Sequence, residues 1–268
     1  MPDFHAITPT NHADKGWHAS PGYGFAAHDT MAVLVMQEIP RACLSLPLAL
    51  TQSDGHYMPV ALQGLAQGQN LLVAPDGRWL ADYIPAAYRG YPFALARVGD
   101  DRTVLCFDHD SGLLETGGAA GAANGGSQPF FDEQGQPVER VRQILQFLSQ
   151  VQANAQPTQL LCDALQQHGL IEPWPINIQG DEGKTTTLQG LFRINETALN
   201  ALSPESFQAL REAGALPLAY CQLLSMQHLQ RLGILARAHA AQAPVLPESP
   251  TGDLDLEFLN SGGTIKFH

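Results

Sequence analysis

Four consecutive residues carry groups that could do chemistry. Asp108, His109, Asp110 and Ser111 place two carboxylates, an imidazole and a hydroxyl at the end of an apolar run. If the strand continued through them, its alternation would put Asp108 and Asp110 on one face, where they could hold a metal ion or act as general acid and base. The alternative, which we favour, is structural: the carboxylates end the strand and accept hydrogen bonds from the turn.

A second group of residues is suited to binding. It combines aromatic rings, prolines that fix the backbone at low entropic cost and one guanidinium, a set that fits an extended peptide or a chain terminus. The candidate partner-binding residues are Trp79, Tyr83, Pro85, Tyr88, Arg89, Tyr91 and Phe93. The more common interpretation of such a block is a strand crossover whose rings fill the core, with Arg89 paired to an acid such as Glu38.

The remaining motifs do not reach diagnostic spacing. Residues 180–185 resemble a phosphate-binding loop, but Ile178 stands where that loop needs glycine. The ten histidines contain no His-x-His or His-Glu-x-x-His motif, and each of the four cysteines lies within an apolar run that keeps its thiol protonated. There is no Gly-x-Ser-x-Gly motif either. We therefore expect no metal and no cofactor, and four reduced thiols.

Composition narrows the class of protein. The chain has 268 residues, 44% of them hydrophobic and only 15% charged, as in compact globular proteins. Its 26 acidic residues outnumber its 14 lysines and arginines, which argues against a nucleic-acid partner. The first thirty residues lack the basic start and apolar core of a secretory signal, and no apolar run is long enough to span a membrane. We therefore expect a cytoplasmic protein.

Strand signals dominate the first half of the chain. Apolar runs at 31–37 and 59–65 are typical of buried strands, and two further pairs of runs flank turns at 75–77 and 99–101. These runs predict an antiparallel meander within residues 1 to about 130, with a low-complexity Gly/Ala loop inserted at 117–128. The fold class predicted is therefore α+β, with the meander in the N-terminal half packed against helices from the C-terminal half.

Helix signals dominate the second half. The apolar spacing at 141–148 indicates an amphipathic helix, and Thr158 is a candidate cap for a helix that ends at Gly169. Ser203 and Gly214 bracket another helix, a strand is expected at 188–194, and a long core helix at 218–242. A Pro-rich linker and a docking tail would occupy 244–268. We predict one domain over residues 1–268, with a β-rich subdomain at about 1–130 and a helical one at about 131–243.

The order of these segments resembles the SapC-like family of bacterial surface-layer loci. The segments that carry the resemblance are Tyr23-Gly24-Phe25-Ala26-Ala27, Glu38-Ile39-Pro40-Arg41-Ala42, Pro59-Val60-Ala61-Leu62, Gln69-Asn70-Leu71-Leu72-Val73, Asp76-Gly77-Arg78-Trp79, Tyr83-Ile84-Pro85, Tyr91-Pro92-Phe93, Cys106-Phe107-Asp108 and Pro129-Phe130-Phe131-Asp132. The resemblance extends over essentially the whole chain. The family shares its name with an unrelated peptide-transporter permease, whose membrane spans this sequence lacks.

The resemblance implies a role in envelope biology and supplies no catalytic residues. The family is named for a gene beside the export machinery of a protective surface protein. We therefore expect a cytoplasmic, non-catalytic accessory protein that binds a polypeptide or protein partner during export or maturation of surface-layer or envelope proteins. The alternative is an enzyme that acts on a peptide or small molecule, with Asp108, His109 and Asp110 as acid/base or metal-holding groups.

Overall fold

A computed structural model describes residues 2–98, 102–116, 126–179 and 185–242. Several sequence-based predictions concern residues outside these ranges. They are the turn at 99–101, most of the Gly/Ala loop, the phosphate-loop-like segment at 180–184 and the Pro-rich linker with its docking tail at 244–268.

The described residues form short strands and helices. The strands are β1 Phe4–Ala6, β2 Lys15–Trp17, β3 Met31–Val33, β4 Leu48–Ser53, β5 His56–Leu62, β6 Phe93–Val98, β7 Arg102–Asp108, β8 Leu114–Thr116, β9 Gln128–Pro129, β10 Ile171–Pro173, β11 Ile176–Gln179, β12 Thr185–Leu188 and β13 Leu191–Ile194. The helices are α1 Pro9–His12, α2 Ile39–Ala42, α3 Ala86–Arg89, α4 Glu139–Ala153, α5 Ala155–Gln167, α6 Glu196–Asn200, α7 Pro204–Ala213, α8 Leu216–Ser225 and α9 Leu229–Gln242. Antiparallel sheets in the N-terminal half and helices in the C-terminal half confirm the α+β prediction.

The chain forms two compact units, each made from two separate stretches. Unit 1 combines residues 1–21 with 86–154, and unit 2 combines residues 22–85 with 155–268. The prediction of a single domain, with subdomains at 1–130 and 131–243, stays a prediction, because two compact units do not decide how many parts fold independently.

Unit 1 is built around aromatic rings. Its sheets have the strand orders β1-β7-β6 and β8-β2-β9. Phe93 and Phe107 face each other in the β6–β7 register, with ring centroids 5.1 Å apart. Trp17 packs edge-on against Phe93 at 4.8 Å, and Phe130 against Phe107 at 5.2 Å. Cross-strand aromatic pairs of this kind stabilise a small sheet, and α4 adds the buried Val141 to the same core.

Unit 2 is built on a sheet of five strands in the order β10-β13-β4-β5-β3. Its central hairpin, β4–β5, turns at Asp54 (φ 50°) and Gly55 (φ 82°), the positive angles that a two-residue hairpin turn requires. Helices α5 and α8 contact this sheet. Fully buried leucines from β4 and β5, with Trp174 and Leu165, fill the core.

Several local predictions are confirmed. Strands β6 and β7 pair as expected from 93–108, and β13 returns to the sheet beside β4. The hydroxyl of Ser203 accepts a hydrogen bond from the Ser206 N–H (3.2 Å), and Gly214, with φ 73°, ends α7. The turn at 75–77 also forms, although its flanks pair through a single bridge between Val73 and Trp79.

Two helix predictions are wrong. Thr158 does not cap a helix, because α5 begins at Ala155 and the Thr158 hydroxyl accepts a hydrogen bond from the Met36 N–H (2.8 Å). The helix expected over 218–242 is interrupted by a 3₁₀ turn at Met226–His228, and it exposes Leu224 (66%) and Ile234 (62%). Across the described ranges, every helix is too short or too polar to cross a bilayer.

Candidate functional site

The predicted aromatic, proline and arginine block divides between the two units. Trp79, Tyr83 and Pro85 belong to unit 2. The Trp79 indole N–H donates to the Tyr83 carbonyl (2.9 Å), and the Tyr83 hydroxyl donates to Glu38 Oε1 (2.9 Å). The buried Glu38 also accepts from the Val35 N–H through Oε2 (3.1 Å). Trp79 and Tyr83 therefore hold the Glu38 turn in place.

The other half of the block belongs to unit 1. Tyr88 and Phe93 are buried, and Phe93 lies in the aromatic core. Arg89 is exposed, with its guanidinium 5.2 Å from the centre of the Phe147 ring. Burial, and to a smaller extent the Asp108 carboxylate, raise the pKa of the half-buried Tyr91.

The buried members of the block are poorly placed to meet a partner. A partner role for the seven residues stays a prediction, but Pro85, Tyr88 and Phe93 would have to leave their packing to take it.

The acidic segment at the end of β7 turns instead of continuing as a strand. Asp108 ends β7, and a 3₁₀ turn at His109–Ser111 follows. Asp108 is 5% exposed, and its Oδ1 accepts hydrogen bonds from the Asp3 N–H (3.0 Å) and the Asp110 N–H (3.1 Å). Asp110 is exposed. The expected alternation therefore does not reach Asp110, and Asp108 does what the structural interpretation predicted.

Asp108 lies beside an arrangement that the sequence did not suggest, which we call the histidine cluster (His5, His12 and His109). The Nε2 atoms of His12 and His109 are 3.1 Å apart, and the His5 ring stacks on His109 at 4.2 Å. His5 Nε2 lies 2.8 Å from Asp3 Oδ2. His12 is fully buried, and its Nδ1 faces the Thr8 N–H at 3.5 Å. Because the Thr8 N–H can only donate, Nδ1 of His12 is the acceptor. The ring proton of His12 is therefore on Nε2, which donates to His109.

The buried imidazole of His12 is neutral at pH 7. Burial, with smaller contributions from His109 and Lys15, lowers the pKa of His12 to about 4. Burial also lowers the pKa of His109. Among the described residues, no three His, Cys, Asp or Glu side chains are arranged to hold a metal ion.

Burial keeps three of the four thiols protonated. Burial raises the pKa of Cys106, and it raises those of Cys162 and Cys221 to about 12. A thiol with so high a pKa is not a nucleophile at neutral pH.

A third feature, in unit 2, was also not predicted. A cavity of about 350 Å³ lies beside β3; we call it the β3 cavity. It is lined by Val33, Leu34, Val35, Tyr57, Met58, Pro59, Ala155, Gln156, Thr158 and Gln159. None of these residues is charged. The sequence signal was the apolar run at 31–37, but the cavity also needs parts of β5 and the first turns of α5.

Comparison with known proteins gives one match. The model of the SapC family matches residues 7–232. No curated protein and no solved structure is similar enough to the chain to match it.

Proposed function

Because the chain belongs to the SapC family, we propose that it is a cytoplasmic, non-catalytic accessory protein that binds a polypeptide or protein partner. The partner would be handled during export or maturation of surface-layer or envelope proteins. The observation that carries the binding role is the β3 cavity, an uncharged recess at the edge of the five-stranded sheet.

The size and lining of the β3 cavity favour an apolar group of a polypeptide. A volume of about 350 Å³ is at the lower end of the range for small-molecule sites. A charged group placed there would lose its hydration without gaining a counter-charge from the lining residues, which costs several kcal/mol, on the order of 5. An aliphatic side chain carries no charge and therefore does not have this desolvation cost. The favoured partner is therefore an uncharged, apolar stretch of chain.

A panel of labelled ten-residue peptides that differ in charge and apolar content tests this function. We expect uncharged apolar peptides to bind and acidic ones to fail. Met58→Lys places an ammonium group in the cavity wall and should weaken binding by about tenfold or more, whereas Met58→Leu should not. Arg89→Ala serves as the control at the predicted block and should leave this binding unchanged. If no peptide binds at concentrations up to about 1 mM, corresponding to only about 4 kcal/mol of affinity, the proposal is wrong.

A second candidate function rests on the histidine cluster. Imidazole is the side chain most often used in general acid–base catalysis, and the cluster brings the Nε2 atoms of His12 and His109 to within 3.1 Å. This arrangement favours the alternative in which His109, with Asp108 and Asp110, acts on a peptide or small molecule. Against it, the Asp108 carboxylate is already bonded to main-chain N–H groups.

A further inference from the structure

Strand β3 forms one end of the five-stranded sheet, and no described strand pairs with its outer side. Its inner side pairs with β5, and hydrogen bonds at both ends of the pairing fix the register. The Leu34 N–H donates to the Pro59 carbonyl (2.9 Å), and the Thr30 carbonyl accepts from the Gln63 N–H (2.8 Å). Antiparallel strands alternate the direction of their backbone groups. Thr30, Ala32 and Leu34 therefore face β5, and Met31 and Val33 direct their N–H and C=O groups outward.

The open part of this edge is short and apolar. The backbone groups of the next outward-facing residue, Val35, are already bonded to Glu38. The Glu38 carboxylate accepts from the Val35 N–H, and the Glu38 N–H donates to the Val35 carbonyl (2.8 Å). Met31 and Val33 are 36% and 49% exposed. Val33 and Val35 also line the β3 cavity. The outward backbone groups of Val33 thus lie beside an apolar recess, and those of Met31 lie two residues further along the same edge.

The opposite edge of the same sheet is protected. The Trp174 N–H donates to the Leu191 carbonyl on β13, which leaves Pro173 directed outward, and proline has no N–H to offer. Glu172 and Arg193 form an ion pair (2.8 Å) at that edge. Proline and charge are the usual devices that keep a sheet edge from pairing with another chain. The sequence of β3, Met31-Ala32-Val33, contains neither.

We propose that β3 binds a short, extended segment of a partner polypeptide by strand addition. This inference rests on the proposed function and specifies how the binding is made. The segment pairs with the outward groups of Met31 and Val33, and one of its apolar side chains enters the β3 cavity. Main-chain hydrogen bonds supply affinity in such complexes, and the pocket supplies preference for the side chain.

The length of the edge favours a segment of another protein over a second copy of this chain. A stable protein–protein interface buries roughly 800 Å² on each partner. Three residues of β3 extend only about 10 Å, at about 3.4 Å per residue. So short an edge suits a peptide of a few residues, with the neutral lining of the cavity selecting an uncharged one.

Equilibrium binding of a designed peptide tests the proposal. The probe is fluorescein-labelled Ser-Thr-Val-Thr-Val-Thr-Val-Ser, measured by fluorescence polarisation with the full chain in about 0.15 M salt, which screens non-specific charge effects. A second probe carries N-methyl groups on two consecutive central residues, so that neither of its edges can pair as a strand. We expect the methylated probe to bind about tenfold more weakly or worse, as the loss of hydrogen bonds worth about 1.4 kcal/mol predicts.

Substitution of Val33 supplies the matching change in the protein. Val33→Pro removes an outward N–H and costs no hydrogen bond to β5, so the unmethylated probe should bind about tenfold more weakly. Val33→Thr keeps the N–H and should lose less affinity for the probe than Val33→Pro does. If Val33→Pro does not fold, the two probes with the unchanged protein still decide the question.

The outcomes separate the inference from the proposed function. Equal affinity for the two probes, or unchanged affinity in Val33→Pro, would overturn strand addition while leaving polypeptide binding intact. Failure of both probes and of the whole peptide panel would overturn the function itself. Loss of dimers in Val33→Pro, measured by sedimentation, would assign the edge to a second copy and overturn the proposal. If a synthetic peptide of residues 254–267 competes better than the unlabelled probe, the β3 edge binds this chain's own tail. That result would also overturn the proposal.

Discussion

The histidine cluster of unit 1 and the β3 edge of unit 2 differ in whether their polar groups have hydrogen-bond partners within the described structure. In the cluster, His12 bonds to His109, His5 bonds to Asp3, and Asp108 accepts two main-chain N–H groups. At the β3 edge, the outward groups of Met31 and Val33 meet no described strand. A polar network that satisfies itself stabilises the fold, whereas an unsatisfied edge is available to another chain. We therefore expect the first region to contribute to stability and the second to carry the proposed binding.

The two candidate functions predict different effects of substitutions in the two regions. If the cluster is structural, changes there should alter the free energy of unfolding and leave peptide affinity unchanged. If the β3 edge is a binding site, changes there should do the reverse. An enzyme acting through His109 would break this pattern, because conservative changes in the cluster would then abolish an activity without cost in stability.

The largest effect should be on the pH dependence of unfolding. The folded pKa of His12 is about 4, below its ordinary value of 6.5. As pH falls below 6.5, the unfolded chain takes up a proton that the buried imidazole resists. The stability present at neutral pH is therefore lost between pH 6.5 and 4, by up to about 3 kcal/mol.

Urea unfolding at a series of pH values between 7.5 and 4.5 (about one unit apart) measures this loss. His12→Gln is the control, because its amide can still donate to His109 but does not titrate. The variant should show a shallower decline in stability with falling pH. If the free energy of unfolding declines equally with falling pH in the two proteins, His12 is not the cause of the decline.

A smaller effect is expected at Asp108. Asp108→Ala leaves two N–H groups near the end of β7 without their acceptor and should lower the free energy of unfolding by about 2 kcal/mol. Asp108→Asn keeps Oδ1 and should recover most of that loss, and neither variant should change the affinity for the Val/Thr probe. Full stability in Asp108→Ala would contradict the structural role. A loss of biological function in a fully stable Asp108→Asn would favour the enzyme.

Local signals in the sequence predicted local structure well. Ser203 and Gly214 bracket α7 as expected, because a cap hydroxyl and a glycine with positive φ act on their own helix. The β6–β7 pairing followed from two adjacent apolar runs. The β4–β5 hairpin was not predicted, although Asp54-Gly55 is a strong turn signal, and only the second half of β5 falls in the predicted strand run at 59–65. Pro59 is tolerated within β5 because only its carbonyl is needed, to accept from the Leu34 N–H.

Contacts between residues far apart in the chain could not be predicted from a single sequence. Thr158 has the local character of a cap, but the distant Met36 N–H occupies its hydroxyl. His12 and His109 are 97 positions apart and meet because β1 pairs with β7, where His5 faces Phe107. The β3 cavity likewise joins parts of β3, β5 and α5 that no spacing rule connects.

Backbone amide exchange followed by NMR tests the central claim most directly. In the free protein, the amides of Met31 and Val33 should exchange with solvent faster than those of Ala32 and Leu34, which face β5. Saturation with the Val/Thr probe should slow exchange at Met31 and Val33 by about tenfold or more, equivalent to at least about 1.4 kcal/mol of protection. Amides of Met31 and Val33 that are protected already in the free protein, or that stay unprotected while the probe is bound, would contradict strand addition at β3.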